Sequence, residues 1–152
     1  MSTLSSLQPV ELLLAEDNAT DAEMTIRALK RVNLANSLVW VKDGEEALEF
    51  LRREGRYADR LDGQPKVVLL DLKMPKMDGL DTLREIRSDG RLRGQPVVVL
   101  TSSREEADLV ASYELGVNSY IVKPVDFQQL LEEVARLGYY WMVLNRRPAS
   151  GD

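Results

Sequence analysis

This chain of 152 residues lacks two residue types that many enzymes use in catalysis, because it contains no cysteine and no histidine. The absence of cysteine excludes disulfides, thiolate metal sites and a cysteine nucleophile. The absence of histidine excludes a Ser-His-Asp triad, a histidine metal ligand and a phosphohistidine within the chain itself. Any chemistry must therefore depend on carboxylates, hydroxyls and amines.

Long apolar segments are also missing. No run approaches the ~18 apolar residues of a membrane helix, and residues 1–17 lack the basic and apolar regions of a signal peptide. We therefore expect a cytoplasmic protein without a membrane segment. The 25 acidic and 20 basic residues give a net charge of −5, which disfavours nonspecific binding to nucleic acid.

The length and the 44% hydrophobic content fit one folded domain. We assign this domain to residues 9–145, between polar segments at 1–8 and 146–152 that we expect to be flexible. Neither segment is long enough to form a DNA-binding domain.

Five short apolar runs, rich in β-branched residues, alternate with stretches of helical spacing. The runs lie at residues 10–15, 38–41, 67–70, 97–100 and 120–122. Alternating strands and helices with nearly continuous apolar strands are typical of a parallel sheet covered on both faces. The sequence therefore predicts an α/β fold with a doubly wound, five-stranded parallel sheet.

Capping signals mark the starts of three helices, and a polar stretch marks a loop. In each signal, a residue that can cap a helix stands three positions before Glu or Gln. The pairs are Asp43 with Glu46, Ser103 with Glu106, and Asp126 with Gln129. The charged stretch at residues 54–66, which contains glycine and proline, predicts a surface loop before the third strand.

Polar side chains follow four of the five predicted strands. They are Glu16 and Asp17 after the first strand, Asp71 after the third, Thr101 after the fourth and Lys123 after the fifth. Because the carboxyl ends of parallel strands lie at the same edge of a sheet, these side chains should lie close together there. Three clustered carboxylates need a counter-ion, and ligands with only oxygen atoms favour Mg²⁺ or Mn²⁺.

The same cluster suits phosphoryl chemistry. Lys123 supplies a cation and Thr101 a hydroxyl for the oxygens of a phosphoryl group. Asp71, at the end of a central apolar strand, can attack phosphorus and form an acyl phosphate. The residues thus predict a metal-dependent phosphoryl site.

Four motifs together resemble those of the response-regulator receiver domain of two-component systems. They are Ala15-Glu16-Asp17-Asn18, then Leu70-Asp71-Leu72-Lys73-Met74-Pro75 with Asp78-Gly79, then Leu100-Thr101-Ser102, and finally Tyr120-Ile121-Val122-Lys123-Pro124. The resemblance implies a flavodoxin-like fold with strand order 2-1-3-4-5, five helices and a cis peptide bond between Lys123 and Pro124. It also implies a histidine kinase in trans as the phosphodonor.

The resemblance assigns roles at the metal site. It makes Asp71 the phosphoacceptor and a ligand of Mg²⁺, for which Mn²⁺ can substitute. Asp17 becomes a direct ligand, the backbone carbonyl of Lys73 a further ligand, and Glu16 a group that acts on the metal through water. Glu16 stands where this family most often has aspartate.

The resemblance also assigns the residues that sense the phosphoryl group. Lys123 should contact it, Thr101 should turn to donate a hydrogen bond to it, and Tyr120 should move into the space that Thr101 leaves. The side chains of Lys73 and Ser103 flank the site and are expected to tune the lifetime of the acyl phosphate. We expect no enzymatic turnover beyond this phosphorylation and dephosphorylation.

The C-terminal helix is predicted to be long and to contact a partner. Its apolar stripe, which should face the sheet, consists of Phe127, Leu130, Leu131, Val134, Leu137 and Trp141. Tyr139, Tyr140 and Val143 lie largely off this stripe. Because such apolar residues need a second surface to cover them, we expect a homodimer formed through this region.

A narrower resemblance points to single-domain response regulators that pair with phytochrome histidine kinases. It depends on the long loop before the third strand, the segment at 112–115 and the Tyr140-Trp141 pair. This resemblance places a red-light receptor kinase upstream.

Two other functions remain open at this point. One is a Mg²⁺-dependent phosphohydrolase with Asp71 as the nucleophile, although Lys73 stands where a haloacid-dehalogenase-like site would have its second carboxylate. The other is a dimerising binding module whose acidic site is vestigial.

Overall fold

The computed structural model describes residues 10–31 and 37–137, except for the side chain of Val134. The strands are β1 (Leu12–Ala15), β2 (Leu38–Val41), β3 (Val67–Asp71), β4 (Val97–Thr101) and β5 (Ser119–Val122). The helices are α1 (Ala19–Arg31), α2 (Gly44–Arg52), α3 (Gly79–Ser88), α4 (Arg104–Ser112) and α5 (Phe127–Arg136), with a short 3₁₀ turn at Gly55–Tyr57. No helix in these ranges is both long and apolar enough to cross a membrane.

All five strands are parallel, in the order β2-β1-β3-β4-β5. The predicted fold class and strand order are therefore confirmed. β1 begins two residues later than predicted, and β3, β4 and β5 are each one residue longer. The strand order reverses between β1 and β3, which is where parallel α/β sheets bind ligands.

The sheet separates two apolar layers. On one face, Leu12, Leu14 and Leu69 pack with α1 and α5. On the other face, alternate strand residues such as Leu13 and Leu70 pack with α2, α3 and α4. Burial on both faces explains why the strands are apolar along their whole length.

Three predicted helix starts are confirmed at atomic detail. The side chains of Asp43, Ser103 and Asp126 each accept a hydrogen bond from the backbone N–H three residues later. Asp78 caps α3 in the same way, although the sequence pattern did not single it out. A side-chain cap of this kind typically stabilises a helix by about 1 kcal/mol.

The predicted apolar stripe of α5 does face the sheet where its side chains are described. Leu130 is buried, and Phe127, Leu131 and Leu137 are partly buried against the same core. The predicted continuation of this helix, with Tyr139, Tyr140, Trp141 and Val143, lies outside the described residues. The segments at 1–8 and 146–152 also lie outside them.

The segment predicted as a surface loop before β3 is anchored by a buried arginine. The side chain of Arg60 is only 7% exposed, and its guanidinium lies 4.0 Å from the ring centre of Phe50. It also forms an ion pair of 2.9 Å with Asp62 and donates a hydrogen bond to Gln64. This segment is therefore a structured part of the domain as well as a connector.

At the amino edge of the sheet, one arginine of α3 joins two loops. The Arg87 guanidinium donates hydrogen bonds of 2.7–2.9 Å to four backbone carbonyls, those of Arg93, Gln95, Leu115 and Gly116. Residues 93 and 95 precede β4, and residues 115 and 116 follow α4. Arg87 therefore fixes the loop after α4 to the loop before β4.

Candidate functional site

A cavity of about 300 Å³ lies at the carboxyl edge of the sheet. It is lined by residues from the ends of β1, β3, β4 and β5 and from the starts of α1 and α4. These residues are Glu16, Asp17, Asn18, Asp21, Asp71, Lys73, Ser102, Glu106 and Lys123. The structure therefore brings together five residues named from the sequence: Glu16, Asp17, Asp71, Lys73 and Lys123.

Three carboxylates in this cavity form a group that could hold a cation. Oxygen atoms of Glu16, Asp17 and Asp71 lie within 4.8 Å of one another. Glu16 is fully buried and Asp71 nearly so, whereas Asp17 is exposed. Three carboxylates at such distances repel one another, and hard cations prefer oxygen ligands of this kind.

The buried acid Glu16 is the most strongly perturbed carboxyl group of the cavity. Burial, and then the nearby Asp71, raise the pKa of Glu16 to about 7, against the opposing effect of Lys123. Its Oε1 atom is paired with the Lys123 ammonium at a distance of 2.8 Å. Lys123 supplies one positive charge beside a cluster of three carboxylates, which leaves negative charge that a further cation can neutralise.

The Lys123 ammonium contacts three carboxylates of the cavity. Its Nζ atom lies 2.8 Å from Glu16 Oε1, 3.1 Å from Asp71 Oδ1 and 3.1 Å from Asp21 Oδ2. Burial alone would lower the pKa of Lys123, but these carboxylates outweigh it and raise the pKa. The peptide bond from Lys123 to Pro124 is cis, as the resemblance implies.

The loop that carries Glu16 is attached to the edge strand β2. The indole N–H of Trp40 donates a hydrogen bond of 2.7 Å to the Glu16 carbonyl. The backbone N–H of Asn18 donates one of 3.2 Å to Glu16 Oε2, and the Asn18 side chain caps α1 at Asp21. These contacts fix both the backbone and the carboxylate of Glu16.

The backbone at Asp71 is covered by the start of α3. A Cβ atom on Gly79 would overlap the Asp71 carbonyl oxygen and lie 2.7 Å from the Cα atom of Leu72. The Gly79 N–H donates a hydrogen bond of 2.9 Å to the Leu72 carbonyl. Gly79 therefore allows α3 to begin directly against the strand end that presents Asp71.

Thr101 and Tyr120 do not line the cavity. Thr101 is fully buried, and its hydroxyl donates a hydrogen bond of 3.0 Å to the Ser103 carbonyl. The strand register pairs Thr101 with Val122 and Tyr120 with Val99, so Thr101 and Tyr120 share one face of the sheet. Tyr120 is half-buried against the core on that face.

The side chain of Lys73 has a partner that the sequence did not predict. Its ammonium lies 3.1 Å from Glu106, and the same carboxylate group accepts a hydrogen bond of 3.0 Å from the Ser102 N–H. The Lys73 side chain is 74% exposed, so this ion pair lies at the mouth of the cavity. The sequence pattern predicted for Glu106 only a role in starting α4, and it predicted no role for Asp21.

Comparison with known proteins gives a family and a fold. The family model described as "Response regulator receiver domain" matches residues 12–135. The solved structure titled "Bacteriophytochrome response regulator RtBRR" superposes with a TM-score of 0.85 at 51% sequence identity. That comparison covers 93% of this chain and 86% of the other.

Two curated relatives are similar over nearly their whole lengths. The "Probable methanogenesis regulatory protein FilR2" of Methanothrix harundinacea is 40% identical over 95% of this chain and 92% of its own. "Response regulator Rcp1" of Synechocystis is 37% identical over 93% of this chain and 95% of its own. The solved Mn²⁺-bound form of Rcp1 superposes with a TM-score of 0.67 at 37% identity and covers 88% of this chain and 94% of the other.

Proposed function

Because this chain belongs to the response regulator receiver domain family, we propose that it is a phosphorylation switch that accepts a phosphoryl group on Asp71 from a histidine kinase. The observation that carries the proposal is the position of the Lys123 ammonium. It lies 3.1 Å from Asp71 Oδ1, at a cavity that also holds the other two carboxylates of the cluster. A nucleophilic carboxylate, a cation and a candidate metal site are therefore adjacent.

The proposed reaction is a transfer of one phosphoryl group. A carboxylate oxygen of Asp71 forms a bond to phosphorus, while the bond from phosphorus to the donor nitrogen of a phosphohistidine breaks. The electron pair of the broken bond returns to the donor imidazole. The Lys123 ammonium donates a hydrogen bond to a phosphoryl oxygen and compensates its negative charge.

Mg²⁺ is the proposed metal, and Mn²⁺ is a substitute. Asp17, Asp71 and the Lys73 carbonyl would hold the ion directly, and Glu16 would act through water. A bound divalent cation supplies charge neutralisation for phosphoryl oxygens. The cluster of three carboxylates, two of which are buried, supports this assignment. The Mn²⁺-bound form of the relative Rcp1 is consistent with it.

The proposed output is a change in a protein-interaction surface that involves α4 and α5. Thr101 would break its hydrogen bond to the Ser103 carbonyl and donate one to the phosphoryl group instead. Tyr120 would then move inward. Both residues lie on the same face of the sheet, which supports a coupled movement. A hydrogen bond to a charged group is worth about 1.5–3 kcal/mol, enough to change a two-state population by roughly ten- to hundredfold.

We propose a phytochrome histidine kinase as the upstream partner. The support is the 51% identity to RtBRR, a bacteriophytochrome response regulator. We further propose that the chain acts as a stand-alone switch, without catalytic turnover of its own, and works in the cytoplasm. Retention of the chain on a phytochrome kinase in co-purification would test the partner, and equal retention on an unrelated histidine kinase would argue against this specificity.

We also propose a homodimer through the C-terminal helix region, with Tyr139, Tyr140 and Val143 at the contact. The support is the apolar character of this part of the sequence. Sedimentation at several concentrations should show a dimer that dissociates in Tyr140→Glu. A monomer at every concentration in both phosphorylation states would contradict the proposal.

The phosphoryl switch itself can be tested with acetyl phosphate. Intact mass should rise by one phosphoryl group in the presence of Mg²⁺ and not in the presence of EDTA. Asp71→Asn should abolish this labelling, whereas the matched control Asp81→Asn, an exposed carboxylate of α3, should retain it. Labelling that persists in Asp71→Asn, or steady release of phosphate from an ester substrate, would contradict the proposal.

A further inference from the structure

Asp21 is a fourth carboxylate of the cavity, and it lies outside the candidate metal cluster. Its Oδ2 atom accepts a hydrogen bond of 3.1 Å from Lys123 Nζ, although the two residues are 102 positions apart in the chain. The described carboxylates that could share a cation are Glu16, Asp17 and Asp71. Asp21 therefore binds the lysine of the site without belonging to the cation group.

The three carboxylates around Lys123 differ in what else they must bind. An ammonium group has three N–H donors, and Glu16, Asp71 and Asp21 each lie within 3.1 Å of it. In the proposed function, Asp71 receives the phosphoryl group and Glu16 acts on the metal. Asp21 has neither of these roles, so its carboxylate can keep its contact with the Lys123 ammonium throughout the reaction.

The backbone of Asp21 is fixed, which makes it a suitable anchor. It lies in the first turn of α1, and its N–H donates a hydrogen bond of 2.9 Å to the side chain of the capping residue Asn18. The four-carbon stem of Lys123 has large rotamer freedom by contrast. A contact with a carboxylate on a fixed backbone restricts where the ammonium can lie.

From this geometry we propose that Asp21 is a positioning residue, which holds Lys123 in the place where it meets the phosphoryl group. The inference deepens the proposed function and rests on it. Asp21 acts through Lys123 and does not itself touch the phosphoryl group. Its loss therefore lowers the maximal rate of phosphorylation without weakening the binding of an anionic donor, because the variant carries one negative charge less.

The first experiment measures the rate of phosphorylation against acetyl phosphate concentration in saturating Mg²⁺. Asp21→Asn should lower the maximal rate at least fivefold and leave the apparent KM unchanged or lower. Asp21→Glu, which keeps the charge, should recover part of the rate. The matched control is Glu23→Gln, which removes the same charge from an exposed position of the same helix and should behave as the wild type. Equal maximal rates in Asp21→Asn and Glu23→Gln would overturn the inference.

A double-mutant cycle tests whether Asp21 acts through Lys123. In the Lys123→Ala background, the further change Asp21→Asn should have little effect on the maximal rate, because the group that it positions is missing. An effect of the same size in both backgrounds would show that Asp21 acts independently of Lys123 and would also overturn the inference.

A second measurement does not depend on phosphorylation and separates the two proposals. In ¹⁵N-lysine spectra of the unphosphorylated protein, the Lys123 ammonium protons should exchange with water faster in Asp21→Asn than in the wild type or in Glu23→Gln. If the wild type is not phosphorylated but this difference is found, the proposed function fails and the Asp21 contact stands. If exchange is the same in all three proteins, the positioning role is wrong whatever the phosphorylation result.

Discussion

The hydroxyl of Thr101 donates its hydrogen bond to the carbonyl of Ser103, the residue that caps α4. The same hydroxyl cannot donate to this carbonyl and to a phosphoryl group on Asp71, because a hydroxyl has one donor hydrogen. The N-terminal end of α4 and the proposed phosphoryl group therefore compete for one proton. This competition gives α4 a physical means of sensing phosphorylation.

The first prediction concerns this competition. Thr101→Val keeps the shape of the side chain and removes the hydroxyl, so the variant should still be labelled on Asp71 but should transmit little of the change to α4. The amide signal of Glu106 in ¹H–¹⁵N spectra should shift on phosphorylation of the wild type and much less in Thr101→Val. Thr101→Ser, which retains the hydroxyl, is the control. An undiminished shift in Thr101→Val would refute the role of this hydroxyl.

The second prediction concerns the carboxylate cluster. Mg²⁺ should raise the free energy of unfolding, because it relieves the repulsion among three carboxylates in the folded chain. A cation present at a hundred times its Kd would contribute ~2.7 kcal/mol. Urea unfolding with increasing Mg²⁺ should show this increase in the wild type and in Glu23→Gln, and a much smaller one in Asp17→Asn. If the free energy of unfolding of Asp17→Asn rises with Mg²⁺ as much as that of the wild type, Asp17 is not a ligand of the metal.

The third prediction concerns the contact between α2 and α3. A Cβ atom on Gly44 would overlap the Thr82 hydroxyl oxygen and lie 2.6 Å from the Met77 carbonyl oxygen. Gly44→Ala should therefore cost about 1–3 kcal/mol in the free energy of unfolding, as in other overpacked sites. Gly63→Ala is the control, because its added methyl group would meet no atom within 4 Å. Equal urea midpoints for the two variants would contradict the close approach of Gly44 to Thr82 and Met77.

The fourth prediction is a pH dependence. The hydroxyl of Tyr57 is partly buried and donates a hydrogen bond of 2.7 Å to Glu46. Burial, and then this contact, raise the pKa of Tyr57 from 10.0 to about 12. Because the folded state favours the protonated phenol, this stabilisation is present below pH 10 and is lost as the pH rises toward 12.

A difference titration can test this shift. The absorbance at 295 nm of the wild type minus that of Tyr57→Phe should rise with a midpoint near pH 12 in the folded protein and near pH 10 in urea. The free energy of unfolding of Tyr57→Phe should also fall less steeply from pH 10 to pH 12 than that of the wild type. A midpoint near pH 10 without urea would mean that Tyr57 ionises as freely in the folded chain as in the unfolded one.

The sequence predicted the features that depend on local pattern. The three capping pairs were found because a short polar side chain at this position bonds to a backbone N–H within its own turn. The proximity of Asp17, Asp71 and Lys123 was predicted because the carboxyl ends of parallel strands lie at one edge of the sheet. Both inferences use the backbone alone, and neither requires knowledge of side-chain rotamers.

The features that were missed depend on the directions of long side chains. Asp21 reaches Lys123, and Glu106 reaches Lys73, from helices that approach the cavity from different sides. Arg60 was counted among the charged residues of a surface loop, yet its guanidinium packs on the ring of Phe50. Such contacts follow from the three-dimensional positions of the helices and loops, which the spacing of residues does not encode.

The hydrogen bonds of Arg87 to the loop after α4 constrain how this helix can move. Its C-terminal end leads within three residues into a loop that Arg87 holds at the amino edge of the sheet. Its N-terminal end is held at the opposite edge, where the Ser103 carbonyl accepts a hydrogen bond from Thr101. A disturbance that begins at Thr101 should therefore turn the helix about its C-terminal end rather than slide it. Since nine residues of helix span roughly 13 Å, a turn of about 10° would displace the N-terminal end by about 2 Å. Displacements within α4 should accordingly be largest at Arg104 and decline to almost nothing at Ser112.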